Sequence, residues 1–334
     1  MWKIVDKVRP VPQSARVNCD RPSSNAVQIL KLRSVSCRPA HTSCITFVAS
    51  LSRPCRHSRA IRHDFHPFPG PMPELPEVED AARRLRQAAL GRTIERADTF
   101  HPSLARSLTP SAQRRLAGRR IVGVERRAKI QLITLDDGAL IEVHFRMTGD
   151  WAFGTTADTP PPYERVRFVC TDGTCISLTD VRAFAVVRVH APGTFVLPML
   201  GPEPLDDTFT ADVLYAALRR TRGPIKTVLL DQRVLAGLGN IYAAEALWRA
   251  RIHPARVASS IARARVATLR DAIRDALQAA PAGRYYDAGE EPRDGADDWH
   301  VYDREGLPCM RCATPVRRIV QAGRSTYYCG KCQR

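Results

Sequence analysis

Ile121-Val-Gly-Val-Glu-Arg126, Gln131-Leu-Ile-Thr-Leu135 and Ala139-Leu-Ile-Glu-Val-His-Phe145 are three short runs rich in branched and aliphatic residues. Asp136-Asp137-Gly138 stands between the last two. Such runs suit a pleated, half-buried surface, and an Asp-Gly pair accepts the positive φ values that a tight hairpin needs. The stretch therefore reads as antiparallel strands. A second Asp-Gly turn, Asp172-Gly173, joins 166–170 to 175–178 in the same way. Short strands at this spacing predict a β-sandwich or barrel. Cys170 and Cys175 flank the second turn and read as strand residues, with a local disulfide as the alternative.

The pattern changes on either side of this block. Before it, 75–90 reads as a helix with Val78, Ala81, Ala82, Leu85 and Ala89 on one stripe, and Gly91 as its stop. After it, Leu200-Gly-Pro-Glu-Pro-Leu205 is a stiff connector and a domain boundary. Helical patterns then cover 211–220, 225–231 and 240–250. A longer one covers 261–279, where Ala262, Val266, Leu269, Ile273 and Leu277 recur at helical spacing. Close to the end, Cys309-Met-Arg-Cys312 and Cys329-Gly-Lys-Cys332 form two C-x2-C knuckles sixteen residues apart. That spacing matches a four-thiolate zinc site, with paired disulfides as the alternative.

The chain has 334 residues, enough for two or three domains, and no stretch approaches the 18 or so apolar residues that a membrane span requires. Its 51 Lys and Arg against 34 Asp and Glu leave a net charge of +17. This surplus favours a polyanionic partner, most simply a nucleic acid whose counterions are released on binding. The excess is uneven: residues 1–71 hold 12 basic and 3 acidic residues without a periodic pattern. That segment is Arg-, Ser- and Pro-rich and carries four irregularly spaced cysteines. It is expected to be a disordered tail or sequence upstream of the true start, although an organelle transit peptide has a similar composition.

Met72-Pro73-Glu74-Leu75-Pro76-Glu77-Val78-Glu79 resembles the amino terminus of the bacterial formamidopyrimidine-DNA glycosylases. The resemblance continues through Arg126-Arg-Ala-Lys129, His144-Phe-Arg-Met147, Asp180-Val-Arg182, Leu200–Leu205, Gly237-Leu-Gly-Asn-Ile-Tyr242, the four cysteines and Arg324. It spans nearly all of 72–334 and none of 1–71. It implies an α+β multidomain fold: a β-sandwich with flanking helices over 72–200 and a helix–two-turn–helix domain over 205–282. A lesion-side loop over 283–304 and a zinc-finger β-hairpin over 305–334 would complete it. The implied activity is base-excision repair of oxidised bases, chiefly purines, with abasic-site lyase activity. The implied setting is a monomer acting on damaged double-stranded DNA in the bacterial cytoplasm, at the nucleoid.

The resemblance also assigns roles. Pro73 would be the nucleophile, because an N-terminal α-amine titrates about two units below lysine and is partly neutral near pH 7. Glu74 would be the general acid and base, with Glu77 assisting. Lys129 would stand with the catalytic residues, contacting a phosphate beside the lesion and the damaged base. His144 and Asn240 would contact phosphates, and the turn before Asn240 opens a helix whose free N–H groups suit an anion. Met147, Arg182 and Phe184 would fill the gap left by a flipped nucleotide. Arg324, expected at a hairpin tip between the knuckles, would meet the DNA backbone. Cys309, Cys312, Cys329 and Cys332 would hold one structural Zn2+.

Two features depart from the family pattern. Ala183 and Ala185 replace a more usual basic residue and glycine around Phe184, and 283–298 is acidic where a Gly/Thr-rich, lysine-containing loop is usual. A related class, the endonuclease VIII type, removes oxidised pyrimidines and is the nearest alternative. A non-catalytic damage binder is the other, since Pro73 inside a peptide bond is an amide and cannot form an iminium.

Overall fold

The computed structural model describes residues 72–280 and 299–334; the extension 1–71 and the acidic loop 283–298 lie outside them. The first lobe opens with helix α1 (Leu75–Ala89), followed by β1 (Ile94–Thr99), the short helices α2 (Pro102–Ala105) and α3 (Pro110–Leu116), and seven further strands. These are β2 (Ile121–Arg127), β3 (Ile130–Leu135), β4 (Leu140–His144), β5 (Gly149–Thr155), β6 (Glu164–Cys170), β7 (Thr174–Asp180) and β8 (Val186–His190). They form two antiparallel four-stranded sheets, β1-β6-β7-β5 and β2-β3-β4-β8.

One buried cluster takes side chains from both sheets, including Ile94, Val166, Phe168 and Leu178 from the first and Val124, Ile133, Ile141 and Val187 from the second. This shared core makes the lobe a β-sandwich. Helix α1 buries Val78, Ala81, Leu85 and Ala89 in the same cluster, as its stripe predicts. Cys170 and Cys175 are buried and unbridged, so the local disulfide does not form.

Three strands were not apparent from the sequence. In β1, Glu95 and Arg96 interrupt the apolar alternation, and a register shift between Ile94 and Arg96 puts the two core residues Ile94 and Ala97 three apart. Strand β5 begins and nearly ends on glycine. Strand β8 follows a turn that places Ala183 at a positive φ.

The second lobe contains α4 (Ala211–Arg219), α5 (Ile225–Leu229), α6 (Asn240–Arg249) and α7 (Arg263–Gln278). The boundaries lie within two residues of the expected ones. Its core joins Phe209, Leu214, Leu229, Ile241, Leu247, Leu269 and Ile273, and it also receives Leu75 from α1. Helix α1 is therefore shared: its first residue packs in the helical core and the rest in the sandwich. The last unit is a hairpin of β9 (Arg317–Gln321) and β10 (Arg324–Tyr328), whose Tyr327 and Cys329 pack on Ala244 and Trp248 of α6. Among the described residues no helix is long and apolar enough to cross a membrane.

Candidate active site

The N-terminus of α6 is where α1, the β2–β3 hairpin, the turn from Gly237 to Gly239 and the zinc hairpin converge. Gly237 has φ +79, a conformation that favours glycine, and a Cβ there would overlap Leu75. Its carbonyl accepts the Leu75 N–H at 3.2 Å. A Cβ on Gly239 would collide with the Glu74 carboxyl group and crowd the Lys129 Nζ. Gln232 holds the turn: its amide oxygen accepts the Gly237 N–H at 2.8 Å, and its Nε2 donates to the Leu238 carbonyl at 2.9 Å. The glycines thus let the second lobe approach the start of α1 closely.

Glu74 is 1% exposed and points into the first turn of α6, where it accepts the Ile241 N–H at 2.9 Å and the Tyr242 N–H at 3.4 Å. These N–H groups, which the sequence leaves free at a helix start, are thus taken by a carboxyl group 167 residues earlier in the chain. Burial raises the Glu74 pKa, opposed by Lys129 and the backbone N–H groups. Glu77 lies one turn on. Its carboxylate accepts the Glu74 N–H at 2.9 Å and the Tyr242 hydroxyl at 2.5 Å, and burial pushes its pKa up to about 7. Two adjacent carboxyl groups are thus held toward their neutral forms, the state of a proton donor. Pro73 is buried beside Glu74, its nitrogen acylated by Met72 in the chain as written.

Lys129 reaches the same point from the β2–β3 turn. That turn needs a positive φ at Ala128 and is fastened by Glu203, which accepts the Ala128 N–H at 2.7 Å. The Glu203 carboxylate also takes Arg126 at 2.8 Å and Arg127 at 2.5 Å, and Arg126 reaches Glu79 as well. Lys129 makes no hydrogen bond or ion pair with another described residue. Burial lowers its pKa, Arg324 adds to that, and Glu74 and Glu77 oppose it. It is a half-buried amine facing the Glu74 carboxyl group.

Asn240 is held from below by Lys226, which is 1% exposed. The Lys226 Nζ donates to Asn240 Oδ1 at 2.7 Å, Thr326 Oγ1 at 2.7 Å and the Ser325 carbonyl at 2.9 Å. Asn240 Nδ2 also donates to the Ser325 carbonyl at 3.1 Å. Burial lowers the Lys226 pKa to about 7. This lysine links α5, α6 and β10, so it sets the hairpin relative to the site. Arg324 is exposed as the first residue of β10 rather than at the tip. The tip is Ala322-Gly323, both at positive φ as in a type I′ turn.

The remaining residues lie at the ends of sandwich strands. His144 ends β4, its Nδ1 accepts the Arg146 N–H at 3.0 Å, and burial with help from Arg146 and Lys129 lowers its pKa to about 4. It is neutral near pH 7, so toward a phosphate it offers a ring N–H and no charge. Met147 is half-buried in the following turn. Phe184 is 52% exposed, with the Arg182 guanidinium 5.1 Å from its ring centroid. A core phenylalanine would be covered, so Phe184 is presented to the outside.

The four knuckle cysteines are unbridged, and their sulfurs all lie within 4.8 Å of one another. Tetrahedral zinc with Zn–S bonds of about 2.3 Å places its sulfurs about 3.8 Å apart. The Cys309–Cys332 and Cys312–Cys329 separations of 4.0 and 3.5 Å bracket that value. The donor set fits one structural Zn2+, and four thiolates leave no open position for chemistry. The Trp248 indole N–H points at Cys309 Sγ at 3.4 Å and adds a hydrogen bond from outside the ligand set.

Glu203, Lys226 and Glu245 were not singled out from the sequence. The Leu200–Leu205 run reads as a connector, and a lysine or glutamate on a helix reads as a solvated face. Only the fold shows that these three are buried. Glu245, in α6, accepts the N–H groups of His300, Val301 and Tyr302 at 2.9–3.1 Å and the His300 ring at 2.8 Å.

A sandwich and a helix–two-turn–helix lobe that share their first helix, with a four-cysteine hairpin docked beside a buried acid, define a glycosylase-type architecture. Three family models match in order: the formamidopyrimidine-DNA glycosylase N-terminal domain over 72–187, its H2TH domain over 200–284, and the zinc finger found in FPG and IleRS over 306–334. The chain belongs to the formamidopyrimidine-DNA glycosylase family. It is 42% identical to the formamidopyrimidine-DNA glycosylase of Chloroflexus aggregans, over 78% of this chain and 98% of the relative. It is 39% identical to that of Roseobacter denitrificans, over 79% and 100%. A Lactococcus lactis enzyme crystallised with Fapy-dG-containing DNA superimposes with a TM-score of 0.71 at 31% identity, over 78% of this chain and 99% of that one. The Thermus thermophilus MutM (Fpg) structure gives 0.67 at 37% identity, over 78% and 98%.

Proposed function

We propose that this chain is a base-excision DNA glycosylase that removes oxidised purines and cleaves the resulting abasic site. The observation that carries the chemistry is the Glu74 carboxyl group, kept toward its neutral form next to Pro73 and the amine of Lys129. With Pro73 as the N-terminal residue, its secondary amine attacks C1′ of the damaged nucleotide and the base leaves. Glu74 protonates the sugar ring oxygen, the ring opens and an iminium forms. Loss of a C2′ proton expels the 3′ phosphate, a second elimination expels the 5′ phosphate, and water releases the amine. Each step conserves electrons, so no oxidant is needed. Glu77 serves as a nearby proton reservoir.

The other residues bind. Lys129, His144, Asn240 and Arg324 meet phosphates near the lesion, and Met147, Arg182 and Phe184 occupy the place of the extruded nucleotide, offsetting the lost stacking. Zinc stiffens the hairpin that carries Arg324. Relatives crystallised with Fapy-dG and 8-oxoG DNA support the preference for purines. The reading places a monomer at the nucleoid of the bacterial cytoplasm. Strand cleavage on matched duplexes carrying 8-oxoguanine or thymine glycol tests it, with the Pro73-terminal chain expected to favour 8-oxoguanine. Preference for thymine glycol would move the chain to the endonuclease VIII type. Tight binding to an abasic site without cleavage would make it a binder.

A further inference from the structure

The geometry points to Asp180 as a positioning residue that, through Thr148, joins the loops carrying Met147, Arg182 and Phe184 into one rigid unit. The inference rests on the gap-filling role proposed for those three side chains.

Asp180 ends β7, is 1% exposed, and spends its whole carboxylate on the two loops. Its Oδ1 accepts the Thr148 hydroxyl in a short hydrogen bond and the Arg182 N–H at 3.1 Å. Its Oδ2 accepts the Ala185 N–H at 2.7 Å. Thr148, 4% exposed and adjacent to Met147, also accepts the Arg182 N–H at 3.2 Å. The main chain of Asp180 is itself fixed. Its N–H donates to the Tyr163 carbonyl at 3.0 Å, and its carbonyl accepts Arg165 Nε at 2.7 Å.

A second observation gives this knot something to hold. Each loop places a non-glycine residue in the left-handed region immediately before its gap-filling side chain: Arg146, φ +60, before Met147, and Ala183, φ +53, before Phe184. Such conformations cost free energy and persist where the surroundings fix them. From outside, Ser103 Oγ donates to the Ala183 carbonyl at 3.0 Å and is braced by His101 Nδ1 at 2.7 Å. Ala183 has only a methyl side chain, so its backbone is held by Ser103, by its own N–H donating to the Asp180 carbonyl at 3.3 Å, and by the flanking bonds of Asp180. The exposed Phe184–Arg182 pair is thereby set before any duplex arrives, and ordering is not left to the moment of insertion.

The test uses the full chain with Asp180→Asn, Thr148→Val and Thr148→Ser. Asn at 180 turns an N–H group toward a donor, Val removes only the hydroxyl, and Ser restores it. Stopped-flow fluorescence of 2-aminopurine beside the lesion reads extrusion, while anisotropy of an end-labelled duplex reads association. Asp180→Asn and Thr148→Val are expected to slow extrusion by at least about tenfold, the effect of losing one charge-assisted hydrogen bond. Association should be unchanged, Thr148→Ser should restore the rate, and the double variant should be no slower than the worse single. Unchanged extrusion in both variants overturns the inference. So does a parallel fall in extrusion, association and thermal stability, which marks a purely structural role. If Met147→Ala and Phe184→Ala leave extrusion unchanged, the gap-filling role itself fails. If they slow it while the Asp180 and Thr148 variants do not, only the present inference fails.

Discussion

Glu74 and Glu77 differ from Glu203 and Glu245 in what surrounds them. All four carboxyl groups are desolvated, which alone raises a pKa. Glu203 is nonetheless held low by the Ala128 N–H and by Arg126 and Arg127, and Glu245 by His300 and three backbone N–H groups. Glu74 and Glu77 take no hydrogen bond from a guanidinium or imidazole of the described residues, lie next to each other, and are raised. Burial therefore does not separate the working carboxyl groups from the architectural ones. The partners do: the first pair can hold and release a proton, and the second pair fixes the hairpin under Lys129 and the chain entering the zinc finger.

The largest expected effect that would break this contrast is on rate. Glu74→Gln keeps the shape and removes the titrating group, so single-turnover excision should fall by about 10²–10⁴-fold, with little change in melting temperature. A large melting shift with normal excision would place Glu74 among the architectural residues. Glu203→Ala should do the reverse. Removing one partner of a buried ion pair costs about 3–5 kcal/mol, and denaturant unfolding should register it. Glu245→Gln should cost less, about 1.5–3 kcal/mol for a weakened charge-assisted acceptor, again in unfolding and not in the chemical step.

A further effect concerns pH. Glu77 is raised in the folded state from an ordinary value of 4.5 to about 7. Its stabilising contribution is therefore fully present below about 4.5 and lost as pH rises through 7. Relative to Glu77→Gln, the native chain should lose stability across that window, as followed by unfolding at each pH. Glu203 and Glu245 have the opposite sign, since their contribution is present above 4.5 and lost on acidification.

The sequence made local features legible. Two C-x2-C knuckles flank one hairpin, and an Asp-Gly turn specifies its own strands. Helix α1 shows its buried stripe over fifteen residues. The site is different, because its groups are distant along the chain. The Gly237–Asn240 turn was readable as a helix start. That its N–H groups are taken by Glu74 follows only from the docking of α1. Lys226 reads as solvated until β10 covers it, and β1 was hidden by a bulge that breaks its alternation. The family resemblance brought the Pro73–Glu77 segment to attention, where local physics alone favoured a helix start.

Borohydride trapping on a duplex with an abasic site tests the central claim most directly, because reduction turns an iminium into a permanent link. Chains starting at Met1 and at Met72 would be compared, the second with its methionine removed so that Pro73 carries a free amine. The account predicts a covalent complex for the Met72 chain alone. Trapping of both chains would show that another amine is reacting and contradict Pro73 as the nucleophile. Tight binding without trapping of either would leave a damage binder in place of the enzyme.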